Sequence, residues 1–441
     1  MIIGNLFEGL TVRQPTGELI PGAAHSWDIS SDGLTYTFYL REGLYWPDEN
    51  KTPLTAGDFS FALFRLFDPD TPSPYAEDFI AIKNARERLS GGRTVLIGVR
   101  PVGKYTLEIE LERPDPMFLE KLSSTAAMPC NPAFFAASRG RYGLEARFVP
   151  GNGPFTLGTW DNDRFISLNK NTQYHSPENV PQSAVFHIGR EDPIEQLESG
   201  RSDFARVPSE FAPTAQRLGL VMEEIEGGGS LWCIAFNMRD PVWRTTLLRQ
   251  GLSMSFDRSA LHGRGEELYP YTAGVYDARE AARLFALGGA LAEAAMPPPL
   301  ILLMPDSGGH MQYMQQLQQD WQVNLSLFPR LQEAPAETLG RRLRAGDFHA
   351  ILMPVDRQEG MGSILEAIGY RNPVYDMFMN RGAYAHTTGE MSGYYASAQS
   401  QLLSDVPVIP LYFETAWYAA TKEAHQHAWI YLGGRQEPEL E

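Results

Sequence analysis

The run Leu231-Trp232-Cys233-Ile234-Ala235-Phe236 stands near the middle of the chain, behind Gly227-Gly228-Gly229. It is apolar on both faces and too short for a buried helix, so it reads as a strand covered from both sides. Asp240-Pro241 ends it, and Leu248, Leu252 and Phe256 then recur at four-residue spacing, one apolar face of a helix. A strand that hands over to a helix here is expected to be a crossing between two lobes of a large α/β fold.

Upstream the period differs. Leu34, Tyr36, Phe38 and Leu40 alternate with Thr35, Thr37 and Tyr39, the period of two that a sheet with unlike faces requires. Thr55 with Asp58 three positions on is a capping-box pattern and predicts a helix through Leu66, stopped by Asp68-Pro69. Val95, Ile97 and Val99 face Tyr105, Leu107, Ile109 and Leu111 across Gly103 as a hairpin, which makes this stretch α+β. Gly151-Asn152-Gly153-Pro154 breaks the pattern, and strands over 155–160 and 164–169 are predicted around Asp161-Asn162-Asp163. Asp192-Pro193 followed by Glu195 is a helix start, and Gly200 its end.

Downstream, strand over 300–304, helix over 311–321, strand over 323–328, helix over 336–345 and strand over 348–353 repeat in order. That order predicts right-handed crossovers and a parallel sheet covered on both faces. A late strand over 406–413, after a helix over 393–403, is expected to return to an earlier sheet.

Composition bounds the class. The chain has 441 residues, more than one core supports, so two or three domains are expected. Lys plus Arg number 37 against 54 Asp plus Glu, and a net charge of −17 argues against nucleic acid or anionic lipid as a partner. Cys130 and Cys233 stand alone, without CxxC or His at zinc spacing, so no structural metal is expected. No run reaches the ~18 apolar residues of a membrane span. The start, MIIGNLFEGL, lacks a secretory signal, so either the protein stays in the cytoplasm or its natural N-terminus lies upstream. Nucleophile elbows, Walker loops, HExxH and dinucleotide fingerprints do not occur in their required contexts, so no enzymatic activity is expected. His425 and His427, two apart near the chain end, read as solvated. Aromatics cluster instead near the expected domain boundaries: Tyr75, Trp232, Tyr412, Phe413, Trp417 and Tyr418, positions from which an interdomain pocket is lined.

Six stretches carry a family likeness in one order: NLFEGL (5–10), PGAAHSWDISSDGLTYTFYLREGLYWPD (21–48), LTAGDFSFALFRLFDPDTPSPYAEDF (54–79), GNGPFTLGTW (151–160), FNMRDPVWRTTLLRQGLSMSFDRSAL (236–261) and VPVIPLYF (406–413). Together they resemble the oligopeptide-binding proteins of ABC importers, extracellular solute-binding protein family 5. The resemblance implies a two-lobed periplasmic-binding-protein-like fold (type II), α/β in class, with an extra α+β subdomain at 23–149. Residues 1–22, 150–230 and 405–441 would form the first lobe and 231–404 the second.

It also implies an extended oligopeptide held in the interlobe cleft and delivered to the permease subunits. The protein would be a monomer without cofactor or metal, extracytoplasmic, and in contact with the membrane only through the permease or a lipid anchor lost from this chain. Carried over by position, Tyr75 contacts the peptide from the subdomain. Leu352, Met353 and the residues to Asp356 offer a strand edge, and Asp356 receives the peptide ammonium. Arg357, Trp232, Tyr412, Phe413 and Glu414 complete the implied ligand set. Where the family reads Gly-Trp-x-Ala-Asp-Tyr, this chain has Met353-Pro354-Val355-Asp356-Arg357; Glu414 replaces an aromatic, which implies a second acid and a taste for cationic ligands. A nickel-chelate or haem carrier and the ligand-sensing domain of a cytoplasmic regulator are the alternative readings.

Overall fold

The strand Ser230–Phe236 lies inside a five-stranded sheet ordered Arg330–Ala334, Ile301–Pro305, Ala350–Asp356, Ser230–Phe236, Val408–Glu414. In this computed structural model the described residues are 2–14, 18–71, 73–189, 191–225, 229–258, 276–306, 309–356 and 361–432, without the side chains of Asp356 and Phe413. Cys233, Ile234, Ala235 and Phe236 are fully buried, as a run apolar on both faces demands. Helix Thr246–Met254 covers the sheet through Leu248 and Leu252, in one core with Phe285 of helix Ala278–Leu291 and Trp321 of helix Met311–Leu325.

Half of this sheet is parallel, as the repeating order predicts: Ile301–Pro305 runs parallel to both its neighbours. The other half is antiparallel, because Ser230–Phe236 opposes both Ala350–Asp356 and Val408–Glu414.

The strand expected at 323–328 is not there. Met314, Leu317, Trp321 and Leu325 are buried at helical spacing, so the helix runs on to Leu325 and leaves Val323 exposed. Ser326 then adopts a left-handed conformation and the Leu327 amide donates back to Trp321 O, a helix-ending motif that carries its own buried apolar residue. The strand itself is Arg330–Ala334.

A second core gathers Leu6, Phe38, Trp46, Phe59, Phe67, Leu107, Phe155 and Leu168. Its four-stranded antiparallel sheet runs Ala24–Ile29, Thr35–Leu40, Thr106–Glu110, Val99–Gly103, and helix Ala56–Leu66 packs on it. Tyr36, Phe38 and Leu40 are buried, and the Thr55 amide donates to Asp58 Oδ2 at 2.7 Å, closing the predicted cap. The NLFEGL and GNGPF stretches interlock here. Glu8 N donates to Asn152 Oδ1 and Asn152 Nδ2 returns a bond to Glu8 O, each at 3.0 Å, while a Cβ on Gly151 would sit 1.9 Å from Leu6 O. Only glycine admits that approach.

Two stretches of chain link a small sheet to the large one, side by side. Val221–Glu224 pairs with Trp417–Ala420 in a small sheet with Phe204–Val207; Ser230–Phe236 pairs with Val408–Glu414 in the large one. Ile225 N donates to Ala416 O at 2.7 Å between them. The pairing keeps Val408–Glu414 in the large sheet, with Tyr412 in its core, and only Trp417–Ala420 pairs in the small sheet. The reason is that VPVIPLYF is apolar throughout, and such a run is satisfied only beside another strand covered on both faces.

Candidate functional site

Where the two crossing strands meet the large sheet, the ladder between Ser230–Phe236 and Val408–Glu414 slips between Trp232 and Cys233. A bulge of this kind twists the strand and re-aims its side chains. Trp232 stands opposite Tyr412 and turns its indole Nε1 onto Glu414 Oε2 at 2.5 Å. His310, at the start of helix Met311–Leu325, lies against the indole with ring centroids 4.0 Å apart, and its Nδ1 is 2.9 Å from the Tyr412 hydroxyl. Tyr313 adds a ring 6.0 Å from that of Tyr412. Trp232, His310 and Tyr412 are 7%, 2% and 2% exposed, so they form a packed floor, and Glu414 is the half-buried polar group at its rim.

Arg258 secures the floor from behind. Its Nε donates to Pro410 O at 3.1 Å and its two other nitrogens to Ser253 O and Oγ. Burial lowers its pKa to about 10, which still leaves it charged at neutral pH. Arg249 similarly ties Val406 O and Trp243 O to helix Thr246–Met254.

The strand Ala350–Asp356 runs along the other side of Ser230–Phe236 and pairs with it over its whole length. On its far side the described register is limited to Leu302↔Ala350 and Leu303↔Ile351. Pro305, two positions beyond Leu303, has no N–H to give to a continued ladder. Pro354 points to the same conclusion, since proline is accommodated in a sheet only where its missing N–H faces no partner. Among the described residues, no strand pairs with this side of the strand from Leu352 onward. Leu352 and Val355 are buried in the sheet, Met353 is half-buried and Pro354 exposed.

The expected site residues are thus partly gathered. Trp232, Leu352, Met353, Tyr412 and Glu414 converge on three neighbouring strands. Glu414 accepts the Trp232 indole N–H on one of its two oxygens. Tyr75 is 53% exposed in the turn before Ala76–Phe79, its amide held by Ser73 Oγ, and among the described residues no hydrogen bond or ring contact joins it to the floor. Arg357 lies outside the described residues, as do the side chains of Asp356 and Phe413. His310 was not foreseen: a lone histidine among nine scattered ones carries no period or spacing.

A cavity of about 740 Å³ lies elsewhere, in the second core, lined by Ile2, Leu6, Leu66, Met128 and Leu157 with Arg65 as its charged wall. Both cysteines are free and buried; burial raises both thiols, that of Cys233 to about 12, so neither supplies a thiolate nucleophile at neutral pH. Among the described residues there is no group of three or more His, Cys, Asp or Glu placed to hold a metal, and no helix long and apolar enough to cross a membrane.

Residues 18–357 match the bacterial extracellular solute-binding proteins, family 5 Middle. The chain belongs to this family. Family 5 is one of substrate-binding proteins, and its two-lobed fold is that of this chain. The oligopeptide-binding protein OppA of Bacillus subtilis is 26% identical over 94% of this chain and 83% of its own length. A probable deoxycholate-binding periplasmic protein of Escherichia coli, YgiS, is 25% identical over 94% of this chain and 83% of its own. Among solved structures, Haemophilus influenzae OppA in complex with the peptide RPPGFSPFR superposes with a TM-score of 0.73 at 21% identity, covering 96% of this chain and 90% of that one.

Proposed function

We propose that this family 5 protein is the solute-binding subunit of an ABC importer and captures extended oligopeptides between its lobes. The observation that carries the reading is the strand edge from Leu352 to Asp356, which loses its neighbour beside the crossing strands. An extended peptide completes such an edge with main-chain hydrogen bonds that every sequence can make, which gives affinity with tolerance. Relatives named for peptide binding support the same ligand class.

In this reading Trp232, Tyr412 and Phe413 form the apolar wall, Glu414 and Arg357 its charged rim, and Tyr75 closes the cleft from the first lobe. Asp356 receives the peptide ammonium. The protein works as a monomer outside the cytoplasmic membrane, performs no chemistry on its ligand and hands it to the permease.

Calorimetry with a tri- to pentapeptide library tests this. A saturable 1:1 heat is expected, weakened about tenfold or more by Asp356→Asn or by N-acetylating the peptide, since a charge-assisted bond is lost. Absence of both heat and thermal shift would sink the reading, and binding of deoxycholate in place of peptides would move the chain to a different ligand class.

A further inference from the structure

Away from the crossing strands, one side chain bridges the two cores. Arg113, just beyond the Thr106–Glu110 strand, donates through Nη1 to Ala383 O, and its guanidinium sits 4.2 Å above the centre of the Tyr384 ring. Ala383 ends helix Pro373–Ala383, and its carbonyl lies at the negative end of the helix dipole. A guanidinium is suited to this spot: it caps the carbonyl and stacks on the aromatic face at once.

Both posts are tied into their surroundings. On the first-lobe side, Asp115 is buried, accepts from Met117 N at 3.1 Å and is held by Lys121 Nζ at 2.5 Å, which fixes the 113–115 turn. On the other side, Gly382 lies against Tyr395 of helix Thr388–Asp405 so closely that a Cβ would come within 2.2 Å of its ring. Tyr395 itself feels the charges of Asp115 and Arg113 across the gap, and its pKa is raised mainly by burial and then by Asp115.

We infer that Arg113 is an affinity-determining latch: without touching ligand, it holds the Pro373–Ala383 helix against the subdomain and so sets how long the cleft stays closed. The inference rests on the proposed reading of the cleft as the ligand site. Closure and ligand contact are linked, because a ligand that touches both lobes binds the closed form more tightly and gains from anything that favours it. Removing the latch therefore acts on the dissociation rate more than on association.

The test uses the whole chain with Arg113→Ala, Arg113→Lys and Tyr384→Leu. Tyr384 is 58% exposed, so its variant separates loss of the latch from loss of folding. Small-angle scattering of ligand-free protein is expected to give a larger radius of gyration for Arg113→Ala and Tyr384→Leu. Arg113→Lys keeps a donor and a cation and falls between them and the parent. With the tripeptide Lys-Ala-Lys as probe, dissociation is expected to be about tenfold faster in the two stronger variants at unchanged thermal midpoint. Unchanged scattering together with unchanged dissociation overturns the latch. If the variants expand but the parent binds no peptide, the latch stands and the peptide reading falls.

Discussion

Trp232 Nε1 donates to Glu414 Oε2 at 2.5 Å across the bulge where the two crossing strands enter the large sheet. The bond couples the direction of one crossing strand to that of the other, and it engages one oxygen of the acid at the rim of the site. Trp232→Phe keeps the apolar bulk against His310 and removes the donor. A hydrogen bond to a charged group is worth about 1.5–3 kcal/mol, so urea unfolding should show a loss of about that size. A change below about 0.5 kcal/mol would mean that water replaces the indole without cost.

Gly229 adopts φ +89, and a Cβ there would lie 1.8 Å from Glu414 O. Gly229→Ala should therefore destabilise the chain by about 3 kcal/mol or more, from backbone strain plus the displaced carbonyl. Gly43, at φ +80 with open space around it, is the control: its alanine variant carries the strain alone, about 1–2 kcal/mol. Thermal unfolding of the pair gives the difference, and equal losses would contradict the close approach at Gly229.

Burial raises the Cys233 thiol to about 12. A group whose folded pKa lies above its unfolded value stabilises the fold at low pH and loses that contribution as pH rises. The loss begins at the unfolded thiol value of about 8.5 and continues towards 12, with a slope of up to about 1.4 kcal/mol per pH unit. Cys233→Ala should flatten this part of the stability profile, and the native thiol should resist a disulfide reagent at pH 8. Rapid native labelling of Cys233 would contradict its burial.

How much was legible depended on how local each signal is. The Thr55–Asp58 cap, the Asp192 cap and the alternating 35–40 strand all came out as read, because a capping side chain or a period of two acts within a few residues. The 323–328 strand did not, because Val323 and Leu327 serve a helix end whose length is set by packing of Trp321 and Leu325 against the rest of the core. The late strand was found and returns to the sheet of the earlier strand Ser230–Phe236, although an apolar run says only that it is covered and not by what. At the site, the aromatic-rich strands drew attention to Trp232, Tyr412 and Glu414. The hydrogen bond that joins Trp232 to Glu414 spans 182 positions, and the His310 contact brings in a third element. Neither leaves any local trace in the sequence.

The central claim, that a peptide docks along the Leu352–Asp356 edge, is tested most directly by amide hydrogen exchange with and without saturating peptide, in protein already shown by calorimetry to bind it. Slower exchange within 352–356 is expected, because amides on an unpartnered edge gain acceptors when a strand is added. Full peptide occupancy with exchange over 352–356 unaltered, and protection appearing only elsewhere, would contradict the account.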